Sequence, residues 1–298
     1  MAIGLIVKNR FSGWLTGSTV EDMTTSEKLY PVNGVELCAE TFGDPADPAV
    51  LLIHGGSASM LWWETGLCSK LADRGLYVIR YDQRDTGRST SYPIGRPGYS
   101  MRDLAADAVG LLDALGIDQA HVVGQSMSGG TALVIGVDHP SRVASLTFVS
   151  TSTGADDLPA PSESMPRLDP PDFADPASVE EYVVRSIEAE YLGHFDEAAA
   201  RDLVRRDMAR ARDFEASLTN HYAMSFDGPV NGGFGDLTMP VLVVHGGLDP
   251  VFSLAHGEAI RDAVPDGRLV VLPDVGHGVP AARWDDLVDA VADHTASR

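Results

Sequence analysis

Lysine is almost absent: Lys8, Lys28 and Lys70 are the only three in 298 residues, and arginine supplies the rest of 22 basic side chains against 43 acidic ones. The resulting formal charge of −21 argues against nucleic acid and anionic membrane surfaces as partners, because the field repels both. Cysteine is confined to Cys38 and Cys68, and neither spacing nor neighbours fit a metal site or a redox pair; buried free thiols are expected. No apolar run approaches the ~20 residues that span a bilayer. Residues 1–10 carry a short apolar stretch without the basic start and small-residue cleavage site of a secretory signal. The expectation is a cytoplasmic protein that needs no metal or cofactor, whose partner is a small molecule. Its oligomeric state is not readable from the chain.

Residues 121–136, His-Val-Val-Gly-Gln-Ser-Met-Ser-Gly-Gly-Thr-Ala-Leu-Val-Ile-Gly, read as an apolar strand, a tight turn at Ser126 and a helix. A serine forced onto such a turn presents its hydroxyl at the top of a sheet, beside free backbone N–H groups and the positive end of a helix. The crowded backbone needs small residues two before and two after it. Gly124 satisfies the first position, and Ser128 stands at the second, where glycine is commonest.

An acid and a histidine follow in the order that such a fold requires. The apolar run 241–245 ends in Gly246-Gly247-Leu248-Asp249-Pro250, which presents Asp249 at a strand end. Beyond the next apolar run, Gly276-His277-Gly278 lets a histidine reach into a cleft, with Asp274 in the same loop as a weaker alternative acid. Serine is a poor nucleophile at neutral pH, so Ser126 would need His277 as base, and Asp249 to orient the imidazole and stabilise its cation. An anion formed on the attacked carbonyl must also be held. The run 49–53 into His54-Gly55-Gly56 resembles a loop that donates one such N–H, assigned to Gly56, and the N–H of Met127 would be the second.

With these pieces in order, the chain resembles the α/β-hydrolase superfamily over residues 32–296. Within it, the chain is similar to the aclacinomycin methylesterase group through Phe42-Gly-Asp-Pro-Ala-Asp-Pro-Ala49, Val78-Ile-Arg-Tyr-Asp-Gln-Arg84-Asp-Thr-Gly-Arg-Ser89 and Ala120-His-Val-Val-Gly-Gln-Ser-Met127. The resemblance implies the same roles for Ser126, Asp249, His277, Gly56 and Met127. It also implies a mainly parallel sheet covered on both faces by helices, with a helical cap.

Apolar strands at 35–42, 50–53, 77–81, 121–123, 143–149, 241–244 and 269–272 alternate with helical patterns, consistent with that architecture. A helix over 101–115, started by Ser100 and ended by Gly116, should pack under the turn at Ser126. The segment 84–89 should form a structural turn network. The core is expected over 31–151 and 237–298, following an extension over 1–30 that matches nothing in the family. Residues 152–236, proline-rich and then helical over 177–192 and 196–220, should form the cap above the strand ends, where ligands bind in open sheets. Ser57, Trp62, Trp63, His221 and Tyr222 are expected at the substrate pocket, with Met165, Tyr191, Met224 and Phe226 as further apolar lining.

The reading is a serine carboxylic-ester hydrolase acting through an acyl-enzyme on a small to medium hydrophobic ester. The alternatives are a lactonase, such as one for N-acyl homoserine lactones, a carbon–carbon hydrolase or perhydrolase with the same triad, and a non-catalytic binding protein. Epoxide hydrolases and haloalkane dehalogenases would carry aspartate at position 126.

Overall fold

Side chains that alternate along each strand divide the apolar residues of this chain between two faces of one sheet. The computed structural model describes residues 26–163 and 165–296, so most of the expected extension over 1–30 lies outside the described residues. In chain order the elements are β1 (Lys28–Val32), β2 (Val35–Phe42), β3 (Ala49–Ile53), α1 (Thr65–Ala72), β4 (Tyr77–Tyr81), α2 (Met101–Ala114), β5 (Ala120–Gln125), α3 (Ser128–Asp138), β6 (Val143–Val149), α4 (Pro176–Tyr191), α5 (Glu197–Arg210), α6 (Phe214–Ala223), β7 (Val241–Gly246), α7 (Leu254–Ala263), β8 (Gly267–Leu272) and α8 (Trp284–Ala296). The strands form one sheet in the order β1-β2-β4-β3-β5-β6-β7-β8. β2 runs antiparallel to both of its neighbours, and every other pairing is parallel.

Leu51, Ile53, Ile79 and Val122 face a core closed by α2, α3 and α7. Val50, Leu52, Val78 and Val123 face a second core closed by α1 and α8. Cys38 and Cys68 are buried and free, and burial pushes both thiols up to about 12, so they are inert small apolar residues. None of the described helices is long and apolar enough to cross a membrane.

Two sequence expectations require correction. Residues 28–30, assigned to the extension, belong to β1, which hairpins onto β2 through Asn33 (φ 48°) and Gly34 (φ 81°). Positive φ at both positions suits the right-handed twist of a two-residue hairpin, and Asn-Gly is the pair that adopts it most readily. The helical stretch over 196–220 is two helices, because Ala211 leaves the helix with extended geometry and Asp213 caps a new one by accepting from the Ala216 N–H.

Ahead of α2, Ser100 and Asp103 form a reciprocal capping box, and the helix packs on α3 as expected. The segment after β4 is a buried polar network. Arg84 donates to both carboxylate oxygens of Asp107 in α2 at 2.6 and 2.9 Å. Asp82 accepts from the N–H groups of Met60 and Arg88, both at 2.9 Å, and pairs with Arg210 at 2.7 Å, which ties α5 to the core. α4, α5 and α6 enclose a small apolar cluster of their own around Val183, Val184, Ile187 and Val204.

Removing one partner of a buried pair leaves the other charge uncompensated. Arg84→Ala should therefore lower stability by roughly 3–5 kcal/mol, read by urea unfolding. A loss below 1 kcal/mol would mean that water reaches Asp107.

Candidate active site

β5 delivers the chain to Ser126, whose φ of 51° lies in the left-handed region that side chains other than glycine seldom occupy. The turn is held from both sides. A Cβ at Gly124 would lie 2.4 Å from the Ser128 carbonyl, and one at Gly129 would lie 2.3 Å from the Thr151 hydroxyl. The Ser126 N–H donates to the Val149 carbonyl at 2.9 Å, and the Thr151 hydroxyl donates to the Ser126 carbonyl at 2.6 Å.

The hydroxyl of Ser126 lies 2.9 Å from His277 Nε2, and His277 Nδ1 lies 2.9 Å from Asp249 Oδ2. The other oxygen of Asp249 accepts from the N–H groups of Val251 and Phe252 at 2.8 and 2.9 Å, which locks the carboxylate in the turn after β7. Asp274, the alternative acid, faces elsewhere: it meets His194 at 3.1 Å and Arg283 at 2.5 Å and makes no bond to His277. Burial works against a charged His277, yet the hydrogen bond and charge of Asp249, with the charge of Glu190, outweigh it and raise its pKa above the ordinary value. His54 beside it is held neutral by burial, its pKa brought down to about 3.

The loop after β3 approaches the serine closely, since a Cβ at Gly55 would sit 3.0 Å from that of Ser126. Among the described residues, the N–H groups of Gly56 and Met127 donate to no protein acceptor. Ser128, the departure from the glycine expected there, is fully buried and donates to the His54 carbonyl at 2.5 Å, while Gln83 donates to the same carbonyl at 2.9 Å. The hydroxyl thus staples the loop to the first turn of α3, a task glycine could not perform.

A cavity of about 710 Å³ opens over these groups, and its lining includes Ser57, Trp62, Tyr191, Tyr222 and Phe226. Trp63 and His221, expected in the pocket, do not line it. Trp62 and Trp63 take different partners: the Trp62 indole donates to Asp207 of α5 at 2.7 Å, and Trp63 packs into the core with α1. His221 is fully buried; its Nδ1 accepts from the Ser57 N–H at 3.1 Å and its Nε2 donates to the Arg84 carbonyl at 2.8 Å, so it supports the loop from behind. Met165 lies outside the lining, and Met224 is buried in the core beside α2. Glu190, which the sequence reading passed over, lines the cavity and accepts the His277 N–H through its main-chain carbonyl at 2.9 Å.

A family model for the alpha/beta hydrolase fold matches residues 48–233. The chain belongs to the α/β hydrolase family. Among curated relatives, this hydrolase is 32% identical over 298 residues to rhodomycin D methylesterase of Streptomyces sp. strain C5, an alignment that covers 90% of this chain and 97% of the relative. It is 31% identical to the rhodomycin D methylesterase of Streptomyces peucetius, with 88% and 95% covered. Among solved structures, the enol-lactonase from Burkholderia xenovorans LB400 superposes with a TM-score of 0.71 at 22% identity, covering 90% of this chain and 99% of that one, which is a likeness of fold. The two relatives bear out the expectation of a carboxylic-ester hydrolase.

Replacing Ser128 with alanine removes one of the two donors to the His54 carbonyl and one contact of Gln83, leaving only the bond between those two groups. The α/β hydrolase should lose about 1–3 kcal/mol of stability in thermal unfolding, with a fall in esterase rate as the loop loosens. An unchanged melting curve would remove the stapling role from Ser128.

Proposed function

We propose that the protein is a serine esterase that cleaves a small to medium hydrophobic carboxylic ester through an acyl-enzyme held under a cap spanning 152–236. The observation that carries this reading is the continuous relay from Ser126 through His277 to Asp249, with both contacts at 2.9 Å. Ser126 Oγ attacks the ester carbonyl while His277 Nε2 takes its proton. The oxyanion is received by the N–H groups of Gly56 and Met127. The imidazolium, steadied by Asp249, then protonates the departing alkoxide. Water enters, gives its proton to His277 and attacks the acyl carbon, which releases the acid and returns the serine. The two unoccupied N–H donors support the oxyanion assignment, since losing one such donor typically costs on the order of 10²–10³ in rate.

The cavity suits a substrate with apolar bulk on at least one side of the ester. A methyl ester on a larger skeleton, in keeping with the named activity of the curated relatives, fits that description. The binding-protein alternative has no use for an aligned relay beside two idle N–H donors.

Hydrolysis of p-nitrophenyl esters from acetate to dodecanoate tests the reading. Ser126→Ala should abolish turnover with the fold intact, a loss of roughly 10⁶ in kcat, and Asp249→Asn should cost less, roughly 10⁴. Retention of most activity by Ser126→Ala would overturn the assignment. A larger loss from Asp274→Asn than from Asp249→Asn would transfer the acid role.

The base must be neutral to take a proton, and the folded pKa of His277 is raised, so activity is full above that pKa and falls as pH drops through it. The acid limb of kcat/KM should accordingly lie above 6.5, the ordinary histidine value. An acid limb below that value would mean that Asp249 does not stabilise the imidazolium.

A further inference from the structure

The cavity is lined by aromatic side chains from both the core and the cap, among them Trp62, Tyr182, Tyr191, Phe214, Tyr222 and Phe252. Among the described residues that line it there is no lysine or arginine, and the single carboxylate is that of Glu190. Three acidic groups near the centre already have protein partners. Asp249 holds His277 and two backbone N–H groups, Asp82 holds Arg210, and Asp207 holds the Trp62 indole. The Glu190 carboxyl makes no hydrogen bond or ion pair with the described residues, although it sits at the end of α4, whose carbonyl clasps the backbone of His277.

Glu190 is half-buried at the cavity wall, and desolvation raises its pKa. A ligand that brings a positive charge would supply the partner that no described residue supplies. Aromatic faces carry negative charge that attracts cations, and an aromatic cage with one carboxylate is a physical match for an ammonium group. The net charge of −21 adds a field that draws cations toward the protein.

We infer that Glu190 is a specificity-determining residue that selects esters bearing a cationic nitrogen close to the scissile carbonyl. The inference rests on the serine-esterase reading and names the substrate class of that same site: an apolar body against the aromatic wall, a cationic head against Glu190, and the ester between them at Ser126. Position follows from connectivity. The residue that carries the carboxylate is hydrogen-bonded through its main chain to His277, so the cation is recognised within a side chain's reach of the imidazole.

The test compares two substrates of equal size, the p-nitrophenyl ester of trimethylammoniobutanoate and its neutral carbon isostere, with wild-type protein, Glu190→Gln and Glu190→Asp. The ratio of kcat/KM, cationic over neutral, should be higher by ~10-fold in the wild type than in Glu190→Gln, with Glu190→Asp between them. Equal ratios in the wild type and Glu190→Gln would overturn the inference. A fluorophosphonate probe, mapped by mass on each protein, reports whether Ser126 is folded and reactive. A labelled Ser126 that cleaves both esters with the same ratio in every variant removes the role of Glu190 and leaves the esterase intact. Failure of the wild type to label at Ser126 or to cleave either ester removes both readings together.

Discussion

The conformation of one residue governs the arrangement of the rest. Ser126 sits at a φ of 51°, which costs about 1–3 kcal/mol for a side chain other than glycine, and it persists because its neighbours leave no alternative. Gly124 and Gly129 permit the approach of Ser128 and Thr151, and Val149 and Thr151 hold the serine's own N–H and carbonyl. Once the hydroxyl is fixed at the carboxyl end of β5, the geometry of a parallel sheet brings the other parts to it. The loop after β3 arrives on one side, and the loops after β7 and β8 arrive on the other with Asp249 and His277.

The same end of the sheet is where α4 and α5 are joined to the rest of the fold. Arg210 of α5 reaches Asp82 beneath the β3 loop, and α4 ends against the histidine loop. There the glycines on either side of His277 are needed for contact: a Cβ at Gly276 would meet the Glu190 carbonyl at 1.9 Å, and one at Gly278 would meet the Tyr191 ring at 2.0 Å. The glycines that flank the histidine are therefore the points at which the end of α4 packs against its loop. The position of the histidine and the shape of the cavity are set by one set of contacts, which links the packing of α4 to the groups beneath it.

Much of this was legible in the chain because it is local. The β-branched runs of β3, β5, β6 and β7 are bounded by turns, α2 carries its own capping box at Ser100 and Asp103, and the spacing around Ser126 describes its own turn. The first hairpin went unread although Asn33-Gly34 announces it, because its strand is short and mostly exposed, with Val32 as its one buried residue. The break between α5 and α6 was hidden by apolar periodicity that continues across it, with Asp213 as the one local mark. What could not be read depends on partners distant in sequence. Asp249 and not Asp274 meets His277, because Arg283 and His194 occupy Asp274. Trp63 and His221 look like pocket residues until the direction of each side chain is known, and the purpose of Ser128 appears only when the His54 carbonyl lies above it.

The proposed reaction depends on the activation of Ser126 by His277 at the top of β5. Peptide mass mapping after reaction with a fluorophosphonate, on the wild-type protein and on His277→Ala, tests it most directly. A single adduct should form on Ser126, and its rate of formation should fall by several orders of magnitude when the imidazole is removed. An adduct on a different residue, or labelling of Ser126 at the same rate in His277→Ala, would contradict it.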